Sequence, residues 1–561
     1  MPRTGRLLWP TAWATLLAVL LLGGALGPGY VLSYDMVWVP DLVLGRDVLG
    51  LGSALPRAVP SDAVVATLDE VLGGALLQKV VLLGMLVAAG TGFAALVRHR
   101  TTAAQLVAVS VGIWNPFVVE RLLLGHWPLL VGYAVLPWLV VALDEVGPGR
   151  ARLPARVPVL LVLGSLSASA GLASALVAFA VAGRRLGRRG TAQLAACVAG
   201  ANAPWIVAGI ISPAASTSDR LGSFVFATAD EGLMAGPVAA LSFGGVWNAE
   251  VVPGSRLDVA GPAFTLLLVA AAVAGAVLVA RSAGEPHLRG LATCWCVGWG
   301  LAVLSWATPG AIGWLGETVP AGGLLRDGSR MLGLTVPLVV VLVAVAVDGL
   351  LDRLPERAVV ALAGGVLALL PVALMPDAAW GAGGRLDAVH YPTAYDKARA
   401  AVSDAPHGDA VSLPFVSYRA PAWNGGRRVL DPLPRYLDRP AVVNDVLVVS
   451  GRALSGEDPA SAAVARALQA PTPGERSSAL RAAGVSVVVE EEIDGYPVPE
   501  VEGERVLDGD LGVIVLGAAQ SRPADAGRTT VMAGAWLLWL ATLGGSLLAR
   551  AKRRRAPVTR Q

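Results

Sequence analysis

The sequence predicts a membrane all-α fold of about twelve transmembrane helices, with a C-terminal α/β domain held outside the cytoplasm. Three observations predict it. The chain is 561 residues long, 55 % hydrophobic and 15 % charged, with mean hydropathy +0.62, which is more apolar surface than a water-soluble chain can hide. Apolar runs of about 20 residues, the length a bilayer needs, recur along it. Arginine clusters fall on alternate connections between those runs, as the positive-inside rule requires. The net charge is only +3 and no polar domain is basic, so a nucleic-acid partner is excluded as a class.

Taken in order, spans are expected near 8–28, 77–97, 102–118, 127–143, 155–168, 171–184, 191–211, 262–281, 289–307, 331–350, 358–376 and 529–549. The basic Met1 to Arg6 segment and the apolar run after it have the look of a signal peptide. No small-residue cleavage site follows, so an uncleaved first span is expected. With the N-terminus inside, Arg98 and Arg100 share one side with Arg150, Arg152, Arg156, Arg184, Arg185, Arg188 and Arg189. Arg281, Arg289, Arg353, Arg357 and the tail from Arg550 to Arg555 fall there too. This places both termini in the cytoplasm of a multi-pass plasma-membrane protein. The region 155–184 is short for two spans. Its break, Ser165 to Gly171, is polar and small, and irregular backbone at that depth survives only where it is buried or lines a cavity.

Three domains follow: 1–376 as the membrane part, 377–528 as a soluble extracytoplasmic α/β domain, and 529–561 as a last span with a basic tail. Within the soluble part a helix is expected at Tyr395 to Ser403 and a strand at Ala410 to Phe415. A helix from Ser477 to Ala483 runs through Gly484 into a strand from Val485 to Val489, and another strand covers Val513 to Leu516. The three cysteines, Cys197, Cys294 and Cys296, all lie in apolar segments, so no disulfide framework supports that domain. No GxSxG, HExxH, Walker loop or strand-linked GxGxxG occurs, which disfavours soluble hydrolases, NTPases and self-powered transporters.

Three outer segments carry candidate chemistry. The first loop, Ser33 to Lys79, holds Asp35 and Asp41, with Asp47 and Asp62, beside Tyr34 and Trp38. A carboxylate at a membrane surface serves as a general base or helps to hold a divalent cation at a sugar phosphate; a solvated acidic loop is the plain alternative. Tyr and Trp there suit headgroup depth. The second segment, Trp114 to Trp127, holds Glu120, Arg121 and His126. Glu120 and Arg121 form an internal ion pair in the plain reading, while Arg121 and His126 can bind a lipid phosphate. The third holds Arg326, Asp327 and Arg330. Two arginines outside oppose the positive-inside bias, so they read as a phosphate site, as interface anchors, or as partners of Asp327. Asp404, His407 and Asp409, with Leu413-Pro414-Phe415 and the Tyr418–Arg419 pair in the soluble part, read as a solvated loop, with a binding surface as the alternative.

At Tyr34 to Asp41, Asn115 to Trp127 and Leu324 to Met331 the chain resembles the large multi-spanning actinobacterial proteins allied to GT-C glycosyltransferases. These include the membrane part of mycobacterial arabinofuranosyltransferases and YfhO-like proteins. The Arg326-Asp327-Gly328-Ser329-Arg330 run is similar to their arginine-acid-x-x-arginine element, and Leu413-Pro414-Phe415 with Asp431-Pro432 resembles their outer tail domain. The resemblance implies a GT-C-like membrane fold, a polyprenyl-phosphate sugar donor and a cell-envelope glycan or lipid acceptor on the outer face. It also implies a catalytic acid in the first outer loop, which Asp35 matches best. It leaves open a divalent cation, Mg or Mn. Relatives often carry a tight acid pair there, whereas Asp35 and Asp41 are six apart. On this reading Asp35 is the base of an inverting transfer and Arg121, His126, Arg326 and Arg330 hold the lipid phosphate. The alternatives are a lipid or polysaccharide transporter or a non-catalytic envelope-assembly protein, and a scaffold whose soluble domain binds carbohydrate.

Overall fold

The computed structural model describes residues 7–146, 153–214, 217–281, 287–449, 451–493, 495–519 and 525–555, without the side chains of 184 and 546–555. Arg150, Arg152 and the Met1 to Arg6 segment lie outside the described residues, as do the side chains of the basic tail.

Among the described residues eight helices are long and apolar enough to cross a membrane: Leu8–Leu26, Gly74–Leu96, Thr102–Leu123, Trp127–Asp144, Arg188–Ile211, Ala260–Ala280, Leu288–Ala307 and Arg357–Leu374. A ninth arises if Gly328–Leu334 and Val336–Leu351, bent by 42°, count as one span. The chain is thus a multi-pass membrane protein, with fewer full-length spans than the expected twelve. The region 155–184 forms two helices, Arg156–Leu163 of 8 residues and Ala168–Ala182 of 15. At 1.5 Å per residue these reach about 12 and 22 Å, short of the roughly 30 Å hydrocarbon core. The last expected span lies in a 30-residue helix, Ala526–Arg555, whose basic end lowers its mean hydropathy.

Thr102–Leu123 is the central helix, with 94 % of its apolar window buried. It breaks at Trp114–Asn115. The Asn115 side chain accepts from the Val118 N–H at 3.1 Å and donates to the Val111 carbonyl at 2.8 Å, and Pro116 opens the second half. The break is therefore capped on both sides although it is buried.

The C-terminal region is built on a five-stranded sheet in the order Glu504–Leu507, Leu511–Val515, Val485–Glu491, Asp409–Leu413, Ala441–Val442. The first two pairings are antiparallel and the last two parallel. Its central strands read as unbroken valine runs because both faces are covered. Val411, Val488 and Ile514 pack with Val464 and Leu480 from the helices Pro459–Ala467 and Pro473–Ala482. The alternate residues, Ala410, Val487, Val489 and Val513, join the same apolar core as the membrane helices. The first loop is stitched to this region as well: Tyr30–Val31 pairs antiparallel with Ala388–Val389.

Candidate active site

The loop that follows the first helix turns sharply at Ser33 to Met36. The Met36 N–H donates to the Ser33 carbonyl at 2.8 Å, and Tyr34 takes φ 46°, rare for a side-chain-bearing residue. The turn is gripped from two sides. Ser33 Oγ donates to the Leu123 carbonyl at 2.6 Å and the Asp35 N–H to Leu124 O at 3.1 Å, at the end of the central helix. On the other side the Tyr34 N–H donates to the Arg428 carbonyl and the Tyr34 carbonyl accepts from the Leu430 N–H, both at 2.8 Å, a strand-like bridge to the C-terminal region. Gly125 permits the close approach: at φ 78° it sits so near the turn that a Cβ would lie 2.1 Å from the Met36 nitrogen.

Asp35 is thereby fixed at the wall of a cavity of about 2300 Å³. His126 Nε2 lies 3.2 Å from Asp35 Oδ2, and the Tyr418 hydroxyl donates to Oδ1. His126 Nδ1 faces Arg121 Nη1 at 3.4 Å. An arginine has donors only, so Nδ1 must accept and Nε2 must carry the proton that is given to Asp35. Burial alone would raise the Asp35 carboxyl, but the bonds from His126 and Tyr418 and the charge of Arg330 hold it down at about 2. Burial lowers His126, and Arg330 and Arg121 oppose its protonation against the pull of Asp35. Burial and the adjacent Asp35 push the Tyr418 hydroxyl well above its usual value.

Behind this group lies an ion-pair cluster. Arg121, 1 % exposed, donates to Asp327 at 3.1 and 3.3 Å and to Ser329 at 2.5 Å. Arg330 Nε donates to the same Asp327 at 2.9 Å. Burial works against the Asp327 carboxylate, but Arg121, Arg330 and Ser329 outweigh it and hold the group far below the ordinary range. Gly328 lets this element seat, since a Cβ there would lie 2.3 Å from the Leu301 carbonyl oxygen. Arg326 has no carboxylate partner among the described residues; its guanidinium sits 4.7 Å above the Phe226 ring. Burial and the neighbouring Arg57 and Arg330 bring it down to about 10.

The cavity joins Asp35, His126, Arg326, Asp327 and Arg330, drawn from all three outer segments. Ser167 to Ser169, the polar break between the two short helices, also lines it. Five expectations need correction. Arg121 is buried against Asp327 and beside His126 and does not line the cavity, so it is not placed as the expected phosphate ligand. His126 is spent on Asp35 and Arg121. Asp41 is outside the cavity and paired with Arg399 at 2.6 Å. Trp38 is no interface residue, being 2 % exposed and packed on Trp127 at 5.1 Å. Glu120 does not form its ion pair with Arg121; it packs beside Glu231, which Arg256 holds at 2.7 Å. Asp327 is the true ion-pair partner.

Sequence reasoning placed Tyr418 in a solvated loop and passed over Arg57, whereas both line the cavity. Tyr418 stands 383 positions after Asp35, and no local pattern links them. Among the described residues no three His, Cys, Asp or Glu side chains gather as a cation site. Asp35 and His126, which both line the cavity, are engaged with each other.

No protein-family model matches the chain, and neither does any curated protein. Solved structures do. A cryo-EM structure of arabinofuranosyltransferase AftD from mycobacteria matches with TM-score 0.57 at 19 % identity, over 91 % of this chain and 40 % of that one. A mutant form of the same protein matches with TM-score 0.56 at 19 % identity, over 91 % and 42 %. The chain spans about two fifths of the length of these neighbours. At such identity the likeness is one of fold, and it agrees with the resemblance of the three outer motifs: the chain has the membrane fold of arabinofuranosyltransferase AftD.

Proposed function

We propose that this is a membrane glycosyltransferase that moves a sugar from a polyprenyl-phosphate donor to a cell-envelope glycan or lipid on the outer face. The observation that carries the reading is the single cavity that unites Asp35 with Arg326 and Arg330. In the transfer, the acceptor hydroxyl forms a bond to the sugar's anomeric carbon while the carbon–phosphate oxygen bond breaks. The electron pair leaves on the phosphate, beside Arg326, Arg330 and Arg57, and the hydroxyl proton passes to Asp35. A carboxylate held at about 2 is ionised but weakly basic, which suits a proton transfer late in bond formation. No step is routed through a metal.

The topology belongs to the same proposal. Both termini are cytoplasmic, 377–528 is extracytoplasmic, 1–376 is the membrane part and 529–561 the last span and tail; one-sided arginine clusters support this. Twelve crossings require the two short helices and the last helix to cross as well.

Asp35→Asn keeps the shape of the site and removes the base. Membranes containing it should lose sugar transfer from polyprenyl-phosphate donors by at least about a thousandfold at normal expression. Unchanged transfer overturns the assignment. A second reading, a non-catalytic carrier in envelope assembly, draws on the fact that both Asp35 oxygens already accept hydrogen bonds. It predicts donor binding without transfer by the wild type.

A further inference from the structure

We infer that the C-terminal half of the cavity is a binding subsite for a neutral saccharide, the acceptor end of the transfer, built around Tyr395, Arg419, Trp423 and Glu491. The inference rests on the glycosyl-transfer reading for the word acceptor, but the subsite itself stands on its own geometry.

The two ends of the cavity differ in charge. At one end Arg326 has no ion-pair partner among the described residues, and beside it Arg57 and Arg330 are paired with Glu457 at 3.0 Å and Asp327 at 2.9 Å. Beyond Tyr418 the balance reverses. Arg419, 2 % exposed, is held by two carboxylates, Asp431 at 3.0 Å and Glu491 at 2.8 Å. Glu492 and Asp510 line the same end. A phosphate would be repelled there, whereas hydroxyl groups can donate to carboxylates and accept from cations.

The same end presents unused donors. The Tyr395 hydroxyl and Arg419 Nε are buried, without a hydrogen-bond partner among the described residues, and both residues line the cavity. Buried donors left without a partner are costly, so a ligand that supplies acceptors is favoured. Aromatic faces complete the site. Tyr395 and Trp423 meet edge to face at 5.4 Å, and half-exposed Tyr496 stands at the mouth. Aromatic surfaces with carboxylates and few free charges suit the apolar faces and hydroxyl rims of sugars. At about 2300 Å³ the cavity exceeds the 300–1,000 Å³ of common small-molecule pockets, leaving room for two reactants. Asp35 lies at the junction, bonded to Tyr418, which immediately precedes Arg419.

The test uses the full-length protein in nanodiscs, with two probes: a panel of short neutral pentose and hexose oligosaccharides, and a sugar-free polyprenyl monophosphate. The wild type should bind at least one oligosaccharide. Tyr395→Phe, which removes only the hydroxyl, and Tyr496→Ala, at the exposed mouth, should each weaken that binding by about tenfold and leave polyprenyl phosphate retention unchanged. Arg326→Gln should do the reverse. The inference is overturned if no oligosaccharide binds the wild type, if both tyrosine variants bind as the wild type does, or if Arg326→Gln weakens sugar binding as much as they do. Should Tyr395→Phe fail to fold, Tyr496→Ala decides alone. Transfer retained by Asp35→Asn would defeat the glycosyl-transfer reading while leaving the oligosaccharide result intact.

Discussion

At the scale of single residues, His126 links the buried ion pairs to the cavity. Its ring is forced into one tautomer by Arg121 and spends its proton on Asp35. Because its folded-state pKa is depressed, the stability it confers is full above the unfolded value of about 6.5 and is lost as pH falls below it. Asp35, held at about 2, stays ionised throughout that window. Thermal unfolding in detergent should therefore show the midpoint dropping from pH 7 to pH 5, and His126→Gln should flatten that drop. An equal slope in the variant would remove His126 from this role. The sequence singles out Asp35 as an acid in the loop after the first span, and the structure sets it at the cavity wall. The roles of Arg121 and His126 were not legible there, because composition cannot tell a cation facing a cavity from one facing a buried carboxylate.

At the scale of elements, the site depends on how closely the Ser33 to Met36 turn approaches the end of the central helix. Gly125 sets that distance. Gly125→Ala would combine a left-handed backbone with a clash against the Met36 nitrogen, costing together about 2–4 kcal/mol. The expected result is a lower unfolding midpoint and reduced sugar transfer; a midpoint equal to wild type would show that the turn yields freely. The helices were readable because 20-residue apolar runs have few alternatives in a membrane. The strands at Asp409–Leu413, Val485–Glu491 and Leu511–Val515 were readable as valine-rich runs bounded by turns. The span count was less so. The small polar break at Ser165 to Gly171 marks an interruption, yet says nothing of how far each half reaches.

At the scale of the whole molecule, the membrane helices and the C-terminal sheet share one apolar core. Ala410, Val487, Val489 and Val513 face it. That sheet face is covered by the helices Thr393–Ser403 and Leu433–Tyr436 of the same region, and the cluster reaches the membrane part through them. Excised, the 377–528 segment therefore keeps both sheet faces covered, and it should give dispersed amide NMR resonances and a near-UV circular dichroism signal. Broad resonances with no near-UV signal would show that the sheet needs the membrane part to pack. Composition shows a soluble stretch here and suggests this independence; it does not show which helices cover the sheet.

The contact between Tyr418 and Asp35 also sets a schedule. The two are 383 residues apart, and synthesis proceeds at about 5–20 residues per second, so the acid waits about 20–80 s for its partner. Throughout that interval the first loop is already made but lacks the strand, the tyrosine and half of the cavity wall that shape it. A nascent chain that stops before Tyr418 holds Asp35 in its turn without the hydroxyl partner and without the C-terminal part of the cavity wall.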